Sequence, residues 1–226
     1  MHLEFTTGMF HLHVNISQGA TAMPEEGYIK FKCRLIHSDR EIPDDIFNTL
    51  NGWRNKLYSL GLIGINEQGV GFGNLSARKG NSSQFFISGS ATGRYPEAEP
   101  QHYALVTTYS FRQNALTCRG PVQASSESLS HAAIYEADSR VHSVIHVHHL
   151  KMWEHGITEL PVTDPASSFG TPEIAENISL LLRNDRVRDK GILIMGGHPE
   201  GVLFFGASPD QAGNRVLEYL EKVTSR

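Results

Sequence analysis

Cysteine is scarce in this chain of 226 residues: only Cys33 and Cys118 occur, far apart in sequence. Such a pair makes a poor disulfide framework, and a reducing cytoplasm fits it best. Long apolar runs are missing too. The most apolar stretches, residues 191–197 and 201–207, are short and bounded by glycine, well below the roughly 18 residues of a membrane span. Positive charge is not in excess. A net charge of −4 and a pI near 6.3 argue against a nucleic-acid partner, which calls for a basic patch. The N-terminus lacks the basic region and apolar core of a secretory signal. No internal repeat, low-complexity tract or linker interrupts the pattern.

What is present is a composition of 39% hydrophobic and 19% charged residues, which suits one soluble globular domain with a substantial core. Twelve histidines are many for this length and favour metal or acid–base chemistry without locating it. Residues 28–36 alternate apolar and basic side chains, as a half-exposed strand does. Pro43-Asp44-Asp45 opens a helix running to about Leu60, with Ile46, Leu50, Trp53, Leu57 and Leu60 on one face and Gly61 as its cap. Strands are expected at 85–88, 102–109, 114–120, 141–149, 191–197 and 201–205. Further helices are expected from Ser125 or Ser126, from Thr171-Pro172-Glu173, and over 209–223. This interleaving predicts an α/β domain. Residues 1–40 read as an N-terminal extension carrying a strand, and 41–226 as the domain. Met23, followed by Pro24-Glu25-Glu26-Gly27, is an alternative start.

The most informative stretch is Val144-Ile145-His146-Val147-His148-His149. Side chains alternate across a strand, so His146 and His148 share a face while His149 points away. One buried histidine is ordinarily a satisfied core residue. Two on one face among β-branched neighbours favour a metal site by roughly two to one, because buried polar groups need partners. His198, in the turn Gly196-Gly197-His198-Pro199-Glu200-Gly201 between two apolar strands, is the best third ligand. Three histidines leave an open coordination position, the pattern of a catalytic zinc. Glu127 precedes the histidine strand and is the candidate acid–base residue, although a first-turn glutamate needs no function to explain it. Three segments have the composition of anion loops: Gly73-Asn74-Leu75-Ser76, residues 88–93, and Ser125-Ser126. Each alone is also an ordinary turn or cap.

Taken in order, Gly73-Asn74-Leu75-Ser76, the Ser-Gly/Thr-Gly loop, Ser125-Ser126-Glu127, His146-Val147-His148 and His198 resemble the class II aldolase/adducin family over about residues 45–220. Ser-Ser-Glu followed nineteen residues after the glutamate by His-x-His is the most specific part. The resemblance implies a three-layer αβα fold with a central, mainly antiparallel sheet. It implies a homotetramer with active sites near subunit interfaces. It also implies zinc on His146, His148 and His198, with Mn²⁺, Fe²⁺ and Co²⁺ as alternatives, and Glu127 as the proton-exchanging residue. Gly73, Asn74, Ser125 and Ser126 are implied as phosphate contacts, as are Ser88 and Gly89, although that loop aligns equally through Thr92-Gly93. The implied activity is a sugar-phosphate aldolase acting through an enediolate on a small phosphorylated sugar or hydroxy-aldehyde. A 4-epimerase, a dehydratase or a non-catalytic adducin-like assembly protein are the alternatives. Where the family often has His-Gly, this chain has His198-Pro199-Glu200-Gly201. Tyr219 stands where a neighbour-reaching tyrosine of the aldolases would be sought.

Overall fold

The computed structural model describes residues 29–225. The alternative start at Met23 and most of the N-terminal extension lie outside the described residues. The elements in chain order are β1 (Lys32–His37), α1 (Asp44–Ser59), β2 (Gly64–Ile65), β3 (Gly71–Phe72), β4 (Asn74–Arg78), β5 (Phe85–Ser88), β6 (Tyr103–Ser110), β7 (Ala115–Gly120), α2 (Ser128–Ala137), β8 (Ser143–His148), α3 (Leu150–Glu159), α4 (Pro172–Leu181), α5 (Asp185–Lys190), β9 (Ile192–Ile194), β10 (Gly201–Gly206) and α6 (Pro209–Thr224).

Eight strands form one sheet in the order β1-β7-β6-β5-β4-β8-β10-β9, and helices flank it. The sheet is mixed. β1 runs parallel to β7, and the other neighbours pair antiparallel. Hairpins build most of the antiparallel part. The parallel pair arises because β1 reaches the sheet edge through the long path of α1 and the strands that follow it. The strand expected in the N-terminal extension is thus built into the sheet, and Phe31 beside it is buried.

Two cores follow from strand alternation. On one face Phe85, Ile87, Val144, Leu203 and Phe205 pack under Leu129, Ala132 and Ala133 of α2 and Ile174 and Ile178 of α4. On the other, Ile145, Val147, Val202 and Phe204 meet Leu50 and Leu57 of α1, Met152 of α3 and Val216 and Tyr219 of α6. β8 lies inside the sheet between β4 and β10, so all six of its residues are buried. A central strand buried on both faces reads as nearly continuous apolar sequence, and the polar residues in it need a reason.

The sequence expectations differ from the structure at several ends. Leu60 does not join the buried face of α1; it is the exposed C-cap, with Gly61 beyond it in the left-handed region at φ +70°. α2 begins at Ser128 rather than at Ser125 or Ser126. Helices α3 and α5 lie outside the segments the sequence pattern marks as helical. His149 ends β8 by capping α3, its Nδ1 accepting from Met152 N at 3.2 Å.

Candidate metal centre

His146 and His148 project from β8 toward the α2 face, the side shared by Val144. His198 arrives from the turn joining β9 to β10. That turn is closed by Met195 N donating to Gly201 O (3.0 Å), Gly201 N to His198 O (2.9 Å) and His198 N to Met195 O (3.2 Å). Gly201 faces His148 across the ladder, and only a glycine fits there. An added Cβ would lie 2.6 Å from His198 Cδ2 and 3.1 Å from His146 Cε1. The result is three buried imidazoles whose ligand atoms lie within 4.8 Å of one another. His146 Nε2 and His148 Nε2 are 3.0 Å apart.

The donor set fits a divalent metal. Nitrogens bound tetrahedrally to zinc stand about 3.3 Å apart, so small ring movements complete the site. Burial, reinforced by the neighbouring imidazoles, holds His146 and His198 well below the usual histidine range. They are therefore neutral at physiological pH, the form that binds metal.

Glu127 stands beside this triad, buried, with Oε1 4.0 Å from His198 Nε2 and Oε2 accepting from Ser130 Oγ at 2.8 Å. Ser125 closes a turn with Ser128 rather than capping the helix, which is why α2 starts late. Ser125 Oγ accepts from Glu127 N (3.3 Å), while Ser128 donates its N–H (3.0 Å) and its hydroxyl (2.6 Å) to Ser125 O.

Gly73, Asn74, Gly89, Ser125, Ser126, Glu127, His146 and His198 line one cavity. Phe72, Ser90, Ala91, Thr92 and Gly93 also line it, so both alignments of the 88–93 loop reach it. Gly73 adopts φ +74°, and a Cβ there would lie 2.7 Å from Ile63 Cγ1. Asn74 pairs with His146 across the ladder, and its buried Oδ1 has no hydrogen-bond partner among the described residues. Ser88 is placed otherwise. It lies outside the lining, and its Oγ accepts from Leu75 N at 3.2 Å. Tyr219 also turns away, donating its hydroxyl to Met152 O at 3.1 Å and touching His155 Nδ1 at 3.0 Å.

Three residues near the site escape a reading of the sequence. Arg54 is 2% exposed, and its guanidinium donates to Thr92 O (3.1 Å) and Pro96 O (2.8 Å), tying α1 to the 89–93 loop. Its signal is the spacing: position 54 falls four after Leu50 and three before Leu57, on the apolar face. Lys30 lies with Nζ 3.9 Å from the Phe169 ring centre, and Phe169 packs on His198 at 4.7 Å between rings. Nothing in the spacing singles out Lys30. His131, one turn after Glu127, is fully buried; its Nδ1 meets Ser76 Oγ at 2.7 Å, and that hydroxyl meets Tyr135 Oη at 2.7 Å.

Comparison with curated protein sequences gives no match. Among solved structures, the chain is similar to L-fuculose-1-phosphate aldolase from Thermus thermophilus, with a TM-score of 0.55, 18% identity and coverage of 81% of this chain and 92% of that one. It is similar to a sugar-phosphate aldolase from Thermotoga maritima (TM-score 0.56, 16% identity, 80% and 92% covered). It is also similar to YgbL from Escherichia coli, a putative aldolase/epimerase/decarboxylase (TM-score 0.60, 16% identity, 80% and 87% covered). At these identities the likeness establishes a common fold. The family-level match comes from the sequence: residues 64–154, from β2 into α3, match the model of the Class II Aldolase and Adducin N-terminal domain.

Proposed function

We propose that the protein is a metal-dependent lyase that cleaves a small phosphorylated hydroxy-carbonyl compound by way of an enediolate. The observation that carries this reading is the meeting, in one cavity, of buried neutral imidazoles, a buried carboxylate and amide- and hydroxyl-rich loops. His146, His148 and His198 hold the metal, zinc by preference, with Mn²⁺, Fe²⁺ or Co²⁺ also compatible with imidazole ligands. When bound there, the ion supplies Lewis-acid stabilisation of the negative charge that develops on the substrate.

Glu127 moves the proton. Its position beside His198 and the hydrogen bond from Ser130 hold the carboxylate at the cavity wall, where it can take a proton from the substrate and return it to the product. Gly73, Asn74, Ser125 and Ser126 hold the phosphate, joined by the Ser90 hydroxyl, while Gly89 shapes the wall with its own N–H donated to His102 O. No lysine or arginine is among the described residues lining the cavity, so backbone N–H groups and hydroxyls recognise the anion as a nest does. Binding energy from the phosphate end then orients the reacting carbons. In the homotetramer we expect, a tyrosine from a neighbouring subunit is not Tyr219, whose hydroxyl is engaged within its own chain.

The test is a screen of metal-loaded protein against sugar phosphates, following cleavage, isomerisation and water loss together. Cleavage inhibited by phosphoglycolohydroxamate, an enediolate mimic, is the expected result. Purified protein that binds no divalent ion at micromolar concentration sinks the proposal.

A further inference from the structure

The two cysteines are 85 positions apart in sequence, yet their sulfurs are 3.7 Å apart. The sequence separation that argues against a disulfide is therefore no guide to the fold. In the parallel pair β1–β7, Cys33 stands opposite Leu116 and Leu35 opposite Cys118, so the cysteines are diagonal neighbours. Both pack on the α2 side of the sheet. Cys118 is buried, whereas Cys33 is partly open to solvent. Three strands, β6, β5 and β4, stand between β7 and β8, so neither thiol belongs to the metal centre.

A disulfide needs its sulfurs at about 2.05 Å, so the approach required is below about 2 Å. β1 is an edge strand with one neighbour, and it can supply that movement. We propose that Cys33 and Cys118 form a reversible dithiol–disulfide site, oxidised by a low-molecular-weight disulfide, that staples β1 to β7. The partly exposed Cys33 thiolate attacks one sulfur of the oxidant and displaces a first small thiolate. The Cys118 thiolate then attacks Cys33 Sγ in the mixed disulfide and displaces the second. The two protein thiols lose two electrons, the oxidant gains them, and the two protons pass to the released small thiols.

The staple acts on a segment that leads to the metal centre. Just before β1, Phe31 enters the core, and Lys30 lies over Phe169, which packs on His198. Asn114 Nδ2 donates to Lys30 O at 3.1 Å, and Lys32 N donates to Asn114 O at 2.8 Å. The oxidised protein thus holds the Lys30 contact by a covalent tie as well as by the β1–β7 ladder.

The experiment equilibrates the full-length, metal-loaded protein in glutathione buffers of increasing oxidised fraction, followed by thiol titration, intact mass and non-reducing peptide mapping. The expected result is loss of both free thiols together, a mass lower by two hydrogens, and one cross-linked peptide joining Cys33 to Cys118, all reversed by dithiothreitol. The melting temperature of the oxidised form should rise by roughly 5–10 °C, since the bond closes a long loop. Cys33→Ser should remove both effects, and the wild-type protein decides the question alone if that variant fails to fold. A lasting glutathione adduct on Cys33, a disulfide between two chains, or thiols still free in the most oxidising buffer would overturn the proposal. A disulfide that leaves the melting temperature unchanged would overturn the stapling.

Discussion

The metal centre and the anion cavity share a wall but are built in opposite ways. The histidines are side chains on strands and a tight turn. β8 is interior to the sheet, and the β9–β10 turn is hydrogen-bonded shut, so their positions follow from alternation and ladder register. The rest of the cavity is mostly loop. Gly73, the 89–93 loop and the Ser125–Ser126 turn line it, and their placement depends on what holds the loops from behind. For the 89–93 loop that support is Arg54, a cation from a helix on the other side of the sheet. Chemistry carried by strand side chains is thus rigid by topology, whereas chemistry carried by loop amides is rigid only by remote ties.

Removing a histidine breaks the first half outright, and this is the largest effect expected. His146→Ala should lose the bound metal, about one ion per chain in the wild type, together with all measurable turnover; metal analysis and activity assay check both. Glu127→Gln comes next. The metal should remain while kcat falls by about 10²- to 10⁴-fold, the usual worth of a general acid–base. Retained turnover in that variant would move the proton chemistry to another group.

Arg54→Leu attacks the second half without touching its lining. The carbonyl of buried Thr92 and that of exposed Pro96 lose their charged donor. Stability should drop by about 2 to 5 kcal/mol. KM for a phosphorylated substrate should rise by about 10-fold or more while metal content stays at the wild-type level. Metal loss in a folded Arg54→Leu protein would show that the two halves are not separable.

Much of the metal centre is legible in sequence because strand period and turn glycine are local signals. His146, His148 and His198 need only the i, i+2 spacing and the Gly-rich turn. The Ser-Ser-Glu turn is legible too, but not its place outside the helix, since Ser125 and Ser128 spend their bonds on closing the turn. Arg54 is hidden by its charge, because a guanidinium on an apolar face is passed over when hydrophobic residues are counted. Lys30 and the Cys33–Cys118 pair are invisible for another reason. They depend on a parallel pairing across the chain, and no local pattern encodes which distant strand β1 will join. The same pairing makes the sheet mixed.

A smaller effect tests how the shared core responds to acid. Burial pushes His131 down to about 3, so it is neutral in the folded protein. The unfolded chain takes up this proton first, near pH 6.5, so native stability from this group is full above that pH and declines as pH falls toward about 3. Carboxylates titrate in the same window, so the comparison must be with His131→Asn. That variant should be less stable than wild type at pH 7, and the gap, measured by urea unfolding, should narrow steadily on the acid side.

Ser88→Ala carries the smallest effect and draws the boundary of the anion cavity most finely. Ser88 is adjacent to Gly89, which lines the cavity, yet it lies outside the lining, where its hydroxyl oxygen accepts from Leu75 N. Leu75 is fully buried, so its N–H loses its side-chain partner in the variant, at a cost of about 1 to 2 kcal/mol. That loss should appear in unfolding measurements while KM for a phosphorylated substrate stays within about twofold, because no cavity-lining group has changed. Ser125→Ala is the matched contrast. It also removes a hydroxyl that accepts from a backbone N–H, that of Glu127, but at a position lining the cavity, so KM should rise along with the loss of stability. A KM increase of comparable size in Ser88→Ala would place the Ser88 hydroxyl on the ligand rather than on Leu75, and would extend the anion site one residue back into β5.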